Sequence, residues 1–188
     1  MARKLTFSPG LFFSIAILLL ILPFPWVFAM GVAALVHELF HLAALYLCKE
    51  MPQNAGIYAG VAMIQIPEMS RKKELLCSLA GPVGSMLLLL FARWIPRIAI
   101  CAALQSAYNL LPIYPLDGGR ALSCLLSMLL PPPKAKSVLQ YFENGVLAVV
   151  LLLGVYGSFG LELGLLPLII AITLYFRTKS GKILAKRL

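Results

Sequence analysis

The stretch LVHELFHLAALYL, residues 35–47, places two histidines and a glutamate among apolar side chains. His37 and His41 are the only histidines of the 188-residue chain, and Glu38 lies between them. A charged side chain near the centre of a bilayer costs about 2.5–3.5 kcal/mol even on a lenient insertion scale. If this segment lies in a membrane, its polar residues therefore indicate a chemical role.

The composition of the whole chain is that of a membrane protein. Hydrophobic residues make up 61% of the sequence and charged residues 12%, about half the charged fraction of a soluble domain. The net charge of +9 comes from basic residues scattered between apolar runs, which fits orientation in a bilayer and argues against nucleic-acid binding. The four cysteines form no C-x-x-C pair and are predicted to be small buried hydrophobic residues.

Six apolar windows predict membrane spans, each of which needs about 17–25 residues. The predicted spans are 5–22, 26–48, 74–92, 97–116, 144–159 and 162–177. With the N-terminus in the cytoplasm, fourteen of the sixteen basic residues lie on the inside, and only Arg93 and Arg97 fall outside. This asymmetry predicts a multi-pass protein of the cell membrane, all-α in class, with both termini cytoplasmic.

Two connections between the predicted spans carry signals of their own. Residues 55–67, AGIYAGVAMIQIP, are apolar, broken by glycine and too short to span a membrane. They favour a short membrane-associated β-hairpin, and an ordinary loop is the alternative. The second connection, LPPPKAK at 130–136, is expected to end one helix and to lead through an exposed linker to the fifth span.

The spacing of the two histidines predicts a metal site. At i and i+4 on a helix, His37 and His41 project from one face at a separation suited to one metal ion. Glu38 can face a water bound to that metal, so HELFH is a zinc motif with a built-in general base. The alternative is a pair of histidines hydrogen-bonded to neighbouring helices in a polar core.

A catalytic zinc has three protein ligands and an open position for water, and without a third histidine the last ligand must be a carboxylate or a thiolate. Asp117 is the remaining acid at a suitable depth, within NLLPIYPLDGGR at 109–120, where prolines and glycines break the helix. Such irregular backbone is tolerated in a membrane where it lines protein or a wet cavity. A plain span terminus with an interfacial aspartate is the alternative. The other acids are predicted to lie at span ends or in connections: Glu50, Glu68, Glu74, Glu143 and Glu162.

Together, HELFH in a transmembrane helix and the later NLLPIYPLDGG resemble the site-2 proteases, the intramembrane zinc metalloproteases. The resemblance implies one zinc ion per chain, bound by His37, His41 and Asp117, with Glu38 activating the water. It also implies that Asn109 helps to position the substrate or to stabilise the oxyanion.

The segment SLAGPVGS, residues 78–85, is similar to the small-residue Gly-Pro segment of that family, with Ser85 where many members have asparagine. Gly81 and Gly84 also predict close contacts between helices. The compact six-span plan is most similar to the sporulation stage IV FB-type branch, without the nucleotide-sensing domain that many of those proteins carry.

The chain, 1–188, is thus predicted to be a single membrane-embedded metalloprotease domain, with a catalytic core at about 26–125 and a closing helix hairpin at about 144–177. The implied function is intramembrane endopeptidase activity on a transmembrane or membrane-associated segment of a membrane-anchored protein. A regulatory membrane protein is a further expected partner. The alternative is a non-catalytic zinc-binding membrane protein or a metal carrier. Carriers usually show repeat symmetry and polar groups across several spans, whereas this sequence has one polar cluster.

Overall fold

The computed structural model describes the backbone of residues 6–7, 19–50, 54–58, 61–65, 69–162 and 164–185. Side chains are described for residues 19–50, 69–162, 164–176 and 178. Most of the predicted first span, 5–22, lies outside the described residues. The chain divides into two compact units, Met1–Tyr108 and Asn109–Leu188.

Helix α1 of the first unit, Phe24–Leu47, carries the HELFH motif. Pro25 lies in its first turn, where the missing N–H has no intrahelical partner to lose. The helix ends at Cys48, and Lys49 then adopts a positive φ of 58° that turns the chain away from the helix axis. The predicted span 26–48 therefore matches a continuous helix.

Helix α2, Arg71–Leu87, packs against α1 and continues as a 3-10 turn over Leu88–Phe91. Helix α3, Pro96–Asn109, follows after a short turn. Small buried side chains of α1 and α3 meet in a core cluster that consists of Ala29, Ala33, Cys101 and Ala102. Because these side chains are small, the two helices approach closely.

The first unit also contains a three-stranded sheet in the order β1-β2-β3, with β1 at Thr6–Phe7, β2 at Asn54–Tyr58 and β3 at Val61–Gln65. β2 pairs antiparallel with β3, and β1 pairs parallel with β2. The β2–β3 pairing falls on the segment for which the sequence predicts a hairpin. Its association with the membrane stays a prediction.

In the second unit, residues 110–116 form an irregular loop that leads into helix α4, Asp117–Leu129. Helix α5, Pro132–Val155, continues as a π-helical turn to Gly160, and helix α6 spans Leu166–Ala185. α5 and α6 pack together, and a Cβ added at Gly154 of α5 would lie only 2.8 Å from the Cβ of Ala171.

The predicted exposed linker at 130–136 is wrong, because α5 already begins at Pro132. Pro131 is the N-cap residue, and a proline in the first helical turn costs no hydrogen bond. The predicted place of Glu143 at a span end is wrong for the same reason. Glu143 lies well inside α5 and is 2% exposed.

Three helices of the described residues are long and apolar enough to cross a membrane: Phe24–Leu47, Arg71–Phe91 and Pro132–Gly160. Leu166–Phe176 is a shorter apolar helix. Many large apolar side chains of these helices are exposed, as expected of a surface that faces lipid. The chain therefore has the helices of a membrane protein, while the six-span count and the orientation of the termini stay predictions.

Candidate metal centre

One turn of α1 brings the two histidine rings together. The Nε2 atoms of His37 and His41 lie 3.2 Å apart, and the rings meet edge to face at an interplanar angle of 82°. Two nitrogen ligands of a tetrahedral zinc ion lie roughly 3.3 Å apart, since each Zn–N distance is about 2.0–2.1 Å. The separation of the two Nε2 atoms therefore fits a shared zinc ion.

The opposite nitrogen of each ring is held by α2. His41 Nδ1 lies 2.7 Å from the carbonyl oxygen of Cys77, and His37 Nδ1 lies 3.0 Å from Ser85 Oγ. Because a carbonyl can only accept, His41 must donate from Nδ1, which leaves the Nε2 lone pair of the neutral ring available to a metal. The histidines do bond to a neighbouring helix, as the polar-core alternative requires. Those bonds, however, use the nitrogens that face away from the shared Nε2 position.

Two glycines of α2 create the space for this arrangement. A Cβ added at Gly81 would overlap Nε2 of His41, and a Cβ added at Gly84 would overlap the ring of Phe40. Both positions agree with the close helix–helix contacts that the sequence predicts. The absence of a side chain at Gly81 matters for the metal site, because a side chain there would occupy the position of His41 Nε2.

The aspartate of the predicted ligand set begins α4. Asp117 is its first helical residue, in the first turn, where the helix dipole stabilises a carboxylate. His37, His41 and Asp117 are a group of residues that could hold a metal ion. Two imidazoles and one carboxylate are a donor set of catalytic zinc sites, so the residues present fit the ion that the sequence predicts.

The remaining predicted site residues lie in helices of the described chain. Glu38 is half-buried on α1 next to His37, and Asn109 is the half-buried last residue of α3. Their predicted roles as general base and as substrate-binding or oxyanion residue stay predictions.

Sequence reasoning did not find the partners of the histidines. Ser85 is fully buried at 0% exposure, and its hydroxyl contacts His37. Ser78 of the same helix is 1% exposed, and its hydroxyl has no hydrogen-bond partner among the described residues. The sequence offers both serines within SLAGPVGS, and only the packing of α2 on α1 decides which of them contacts a histidine.

Comparison with known proteins adds evidence about the fold. No protein-family model matches the sequence, and no curated protein matches it. Among solved structures, the chain is similar to the site-2 protease from Methanocaldococcus jannaschii, with a TM-score of 0.69 and 16% sequence identity. The similarity covers 93% of this chain and 88% of that chain. The protein therefore has the fold of a site-2 protease.

Proposed function

We propose that this protein is an intramembrane zinc metalloendopeptidase of the site-2 protease type. The observation that carries the proposal is the 3.2 Å approach of His37 Nε2 and His41 Nε2 on an apolar helix, with both Nδ1 atoms already held by α2. The fold of a site-2 protease and the donor set completed by Asp117 support it.

In this mechanism, His37, His41 and Asp117 would hold one zinc ion through two ring nitrogens and a carboxylate oxygen. Zinc in such a site would lower the pKa of a water towards about 7 and polarise the carbonyl of the scissile peptide. The hydrogen bonds that the Nδ1 atoms of His37 and His41 make with the Ser85 hydroxyl and the Cys77 carbonyl keep the rings in orientation.

Glu38 acts as the general base and then as the general acid. Its carboxylate takes a proton from the attacking water, whose oxygen bonds to the peptide carbon. When the C–N bond breaks, the same carboxyl group returns the proton to the leaving amine. Asn109 donates from its amide to the substrate or to the developing oxyanion.

The substrate is a transmembrane or membrane-associated protein segment, which must unwind because the amides of an intact helix are all paired. The β2–β3 pair offers a strand edge on which an unwound segment can be held extended. His37 precedes the end of α1 at Leu47 by ten residues, about 15 Å along a helix. With that end on the cytoplasmic side, cleavage falls in the cytoplasmic half of the substrate segment.

A comparison of metal content and turnover tests the proposal. Purified protein is assayed for zinc and for cleavage of a single-span substrate, as wild type, as Glu38→Gln and as the double variant His37→Ala, His41→Ala. Wild type should bind one zinc and cleave, Glu38→Gln should keep the zinc and lose at least about 100-fold in rate, and the double variant should lose both. Gly31→Ala is the matched control on α1, because its Cβ would meet nothing within 4 Å.

Two results would contradict the proposal. Cleavage by Glu38→Gln at close to the wild-type rate would exclude Glu38 as the base. Zinc binding by a wild-type protein that cleaves no membrane segment would favour the non-catalytic zinc protein or carrier.

A further inference from the structure

Glu143 is a buried acid that the mechanism above does not use. It lies in the interior of α5, a helix apolar and long enough to cross a membrane, and is 2% exposed. An acid at such a position is costly and is kept where a partner or a function requires it. Oε1 of Glu143 accepts a hydrogen bond from the backbone N–H of Tyr114 at 3.0 Å.

Tyr114 belongs to the loop of residues 110–116, which leads directly into Asp117. Within the loop, Leu116 donates its N–H to the Ile113 carbonyl at 2.9 Å, and the side chains of Ile113 and Leu116 are buried at 0% and 2% exposure. Glu143 accepts a further hydrogen bond from outside the loop, at Tyr114, between those two buried residues. The loop is thus held at its centre by a side chain that follows it by 29 residues.

The close approach of α4 makes the conformation of this loop specific. A Cβ added at Gly118 would overlap the carbonyl oxygen of Leu110, and one added at Gly119 would overlap the backbone of Ile113. The loop therefore folds back over the first turn of α4. Asp117 connects the loop to α4, so a shift of the loop would also move Asp117.

A glutamate suits this position because irregular backbone leaves N–H groups that no helix or strand satisfies. At membrane depth there is no bulk water to accept from such a group. A carboxylate accepts more strongly than a neutral oxygen and sits on a rigid helix. An apolar residue in place of Glu143 would remove this acceptor from the part-buried N–H of Tyr114.

We propose that Glu143 is a positioning residue for Asp117: its carboxylate fixes the loop of residues 110–116 and thereby the aspartate at the start of α4. The inference rests on the proposed function, which assigns Asp117 as a zinc ligand. Glu143 is not proposed to bind the metal itself. It acts through the backbone of Tyr114.

The test compares three substitutions at Glu143 in the full-length protein. Glu143→Met keeps the length and removes the acceptor, Glu143→Gln keeps an acceptor oxygen, and Glu143→Asp keeps the charge but withdraws it by one methylene. Ser158→Ala is the matched control, because Ser158 Oγ also accepts a backbone N–H, that of Leu168 at 3.2 Å, elsewhere in the same unit. The readouts are zinc affinity by competition with a chelator and hydrogen exchange of residues 110–116.

Glu143→Met should bind zinc at least about tenfold more weakly than wild type, the lower end of the range for groups that support a ligand, and its loop should exchange faster. Glu143→Asp should change in the same direction, and it carries the test if Glu143→Met does not fold. Glu143→Gln should stay within about threefold of wild type, and Ser158→Ala should leave zinc affinity and loop exchange unchanged.

Wild-type zinc affinity and loop exchange in Glu143→Met would overturn the inference and leave the proposed function intact. A Glu143→Gln variant as defective as Glu143→Met would also overturn it, since the acceptor for Tyr114 would then not be what matters. Equal losses in Ser158→Ala would indicate general destabilisation and contradict it as well. If the wild type bound no zinc, the proposed function would fail, and loop exchange would still decide whether Glu143 holds the loop.

Discussion

The histidine pair and the aspartate are held in different ways within their own parts of the chain. His37 and His41 are one turn apart on a continuous helix, so the helical repeat places both rings on one face, where their Nε2 atoms lie 3.2 Å apart. Asp117 follows an irregular loop whose conformation depends on packing against Gly118 and on a bond from Glu143. The first arrangement is local in sequence and the second is not. The histidines should therefore be sensitive mainly to what enters their shared space, and the aspartate to what moves its loop.

Gly81→Ala should have the largest effect, because it fills the space of the histidine pair. The new Cβ would overlap His41 Nε2, so the ring must leave the position in which it binds a metal. Zinc affinity should fall by more than about 100-fold, the upper end of the cost of changing groups that merely support a ligand. Chelator competition measures the loss, with Gly31→Ala on α1 as the control that adds the same methyl group into open space. Wild-type affinity in Gly81→Ala would refute this description of the histidine pair.

Gly118→Ala should have the next largest effect and should act on the aspartate side. Its Cβ would meet the backbone oxygen of Leu110, which cannot rotate away as a side chain can. We expect zinc affinity to fall by about 10–100-fold and the free energy of unfolding to drop by about 1–3 kcal/mol. Chelator competition and chemical unfolding measure the two quantities.

The control for Gly118→Ala is Gly145→Ala on α5, where an added Cβ meets nothing within 4 Å. Alanine is favoured over glycine inside a helix by about 1 kcal/mol, so this control should be neutral or slightly stabilising. If both variants behaved alike, the proposed dependence of Asp117 on its loop would be wrong.

Ser85→Ala should have the smallest effect of the three, about tenfold in zinc affinity. The substitution removes the partner of His37 Nδ1 but leaves the ring confined, since His37 is only 2% exposed. Ser78→Ala is the matched control on α2, because the Ser78 hydroxyl is buried without a hydrogen-bond partner among the described residues. Zinc titration of both variants should separate them, and equal losses would show that the hydrogen bond to His37 has no special role.

The sequence predicts the local part of this description well. An apolar window long enough to cross a membrane predicts the span at 26–48, and the structure has α1 at Phe24–Leu47. Gly81 and Gly84 predict close packing without naming its partners, which the structure supplies as His41 and Phe40. The sequence predicts these features because each depends on residues within a few helical turns of one another.

The parts that the sequence does not predict depend on distant residues. The prolines at 131–133 predict a linker because proline breaks helices, yet proline is also favoured in the first turn of a helix. Whether proline ends or starts a helix is decided by what the following residues pack against. For the same reason the sequence places Glu143 at the end of a span, whereas it lies in the interior of α5. The hydrogen bond between His37 and Ser85 spans 48 residues, the bond from Tyr114 to Glu143 spans 29, and no periodicity encodes either.

The central claim is that His37, His41 and Asp117 together bind one zinc ion. X-ray absorption at the zinc edge of the purified, zinc-loaded protein tests it most directly. We predict two imidazole nitrogens and a carboxylate oxygen at about 2.0–2.2 Å, and the loss of imidazole scattering in His37→Ala. A sulfur ligand at about 2.3 Å, or a zinc environment unchanged by that substitution, would contradict the account.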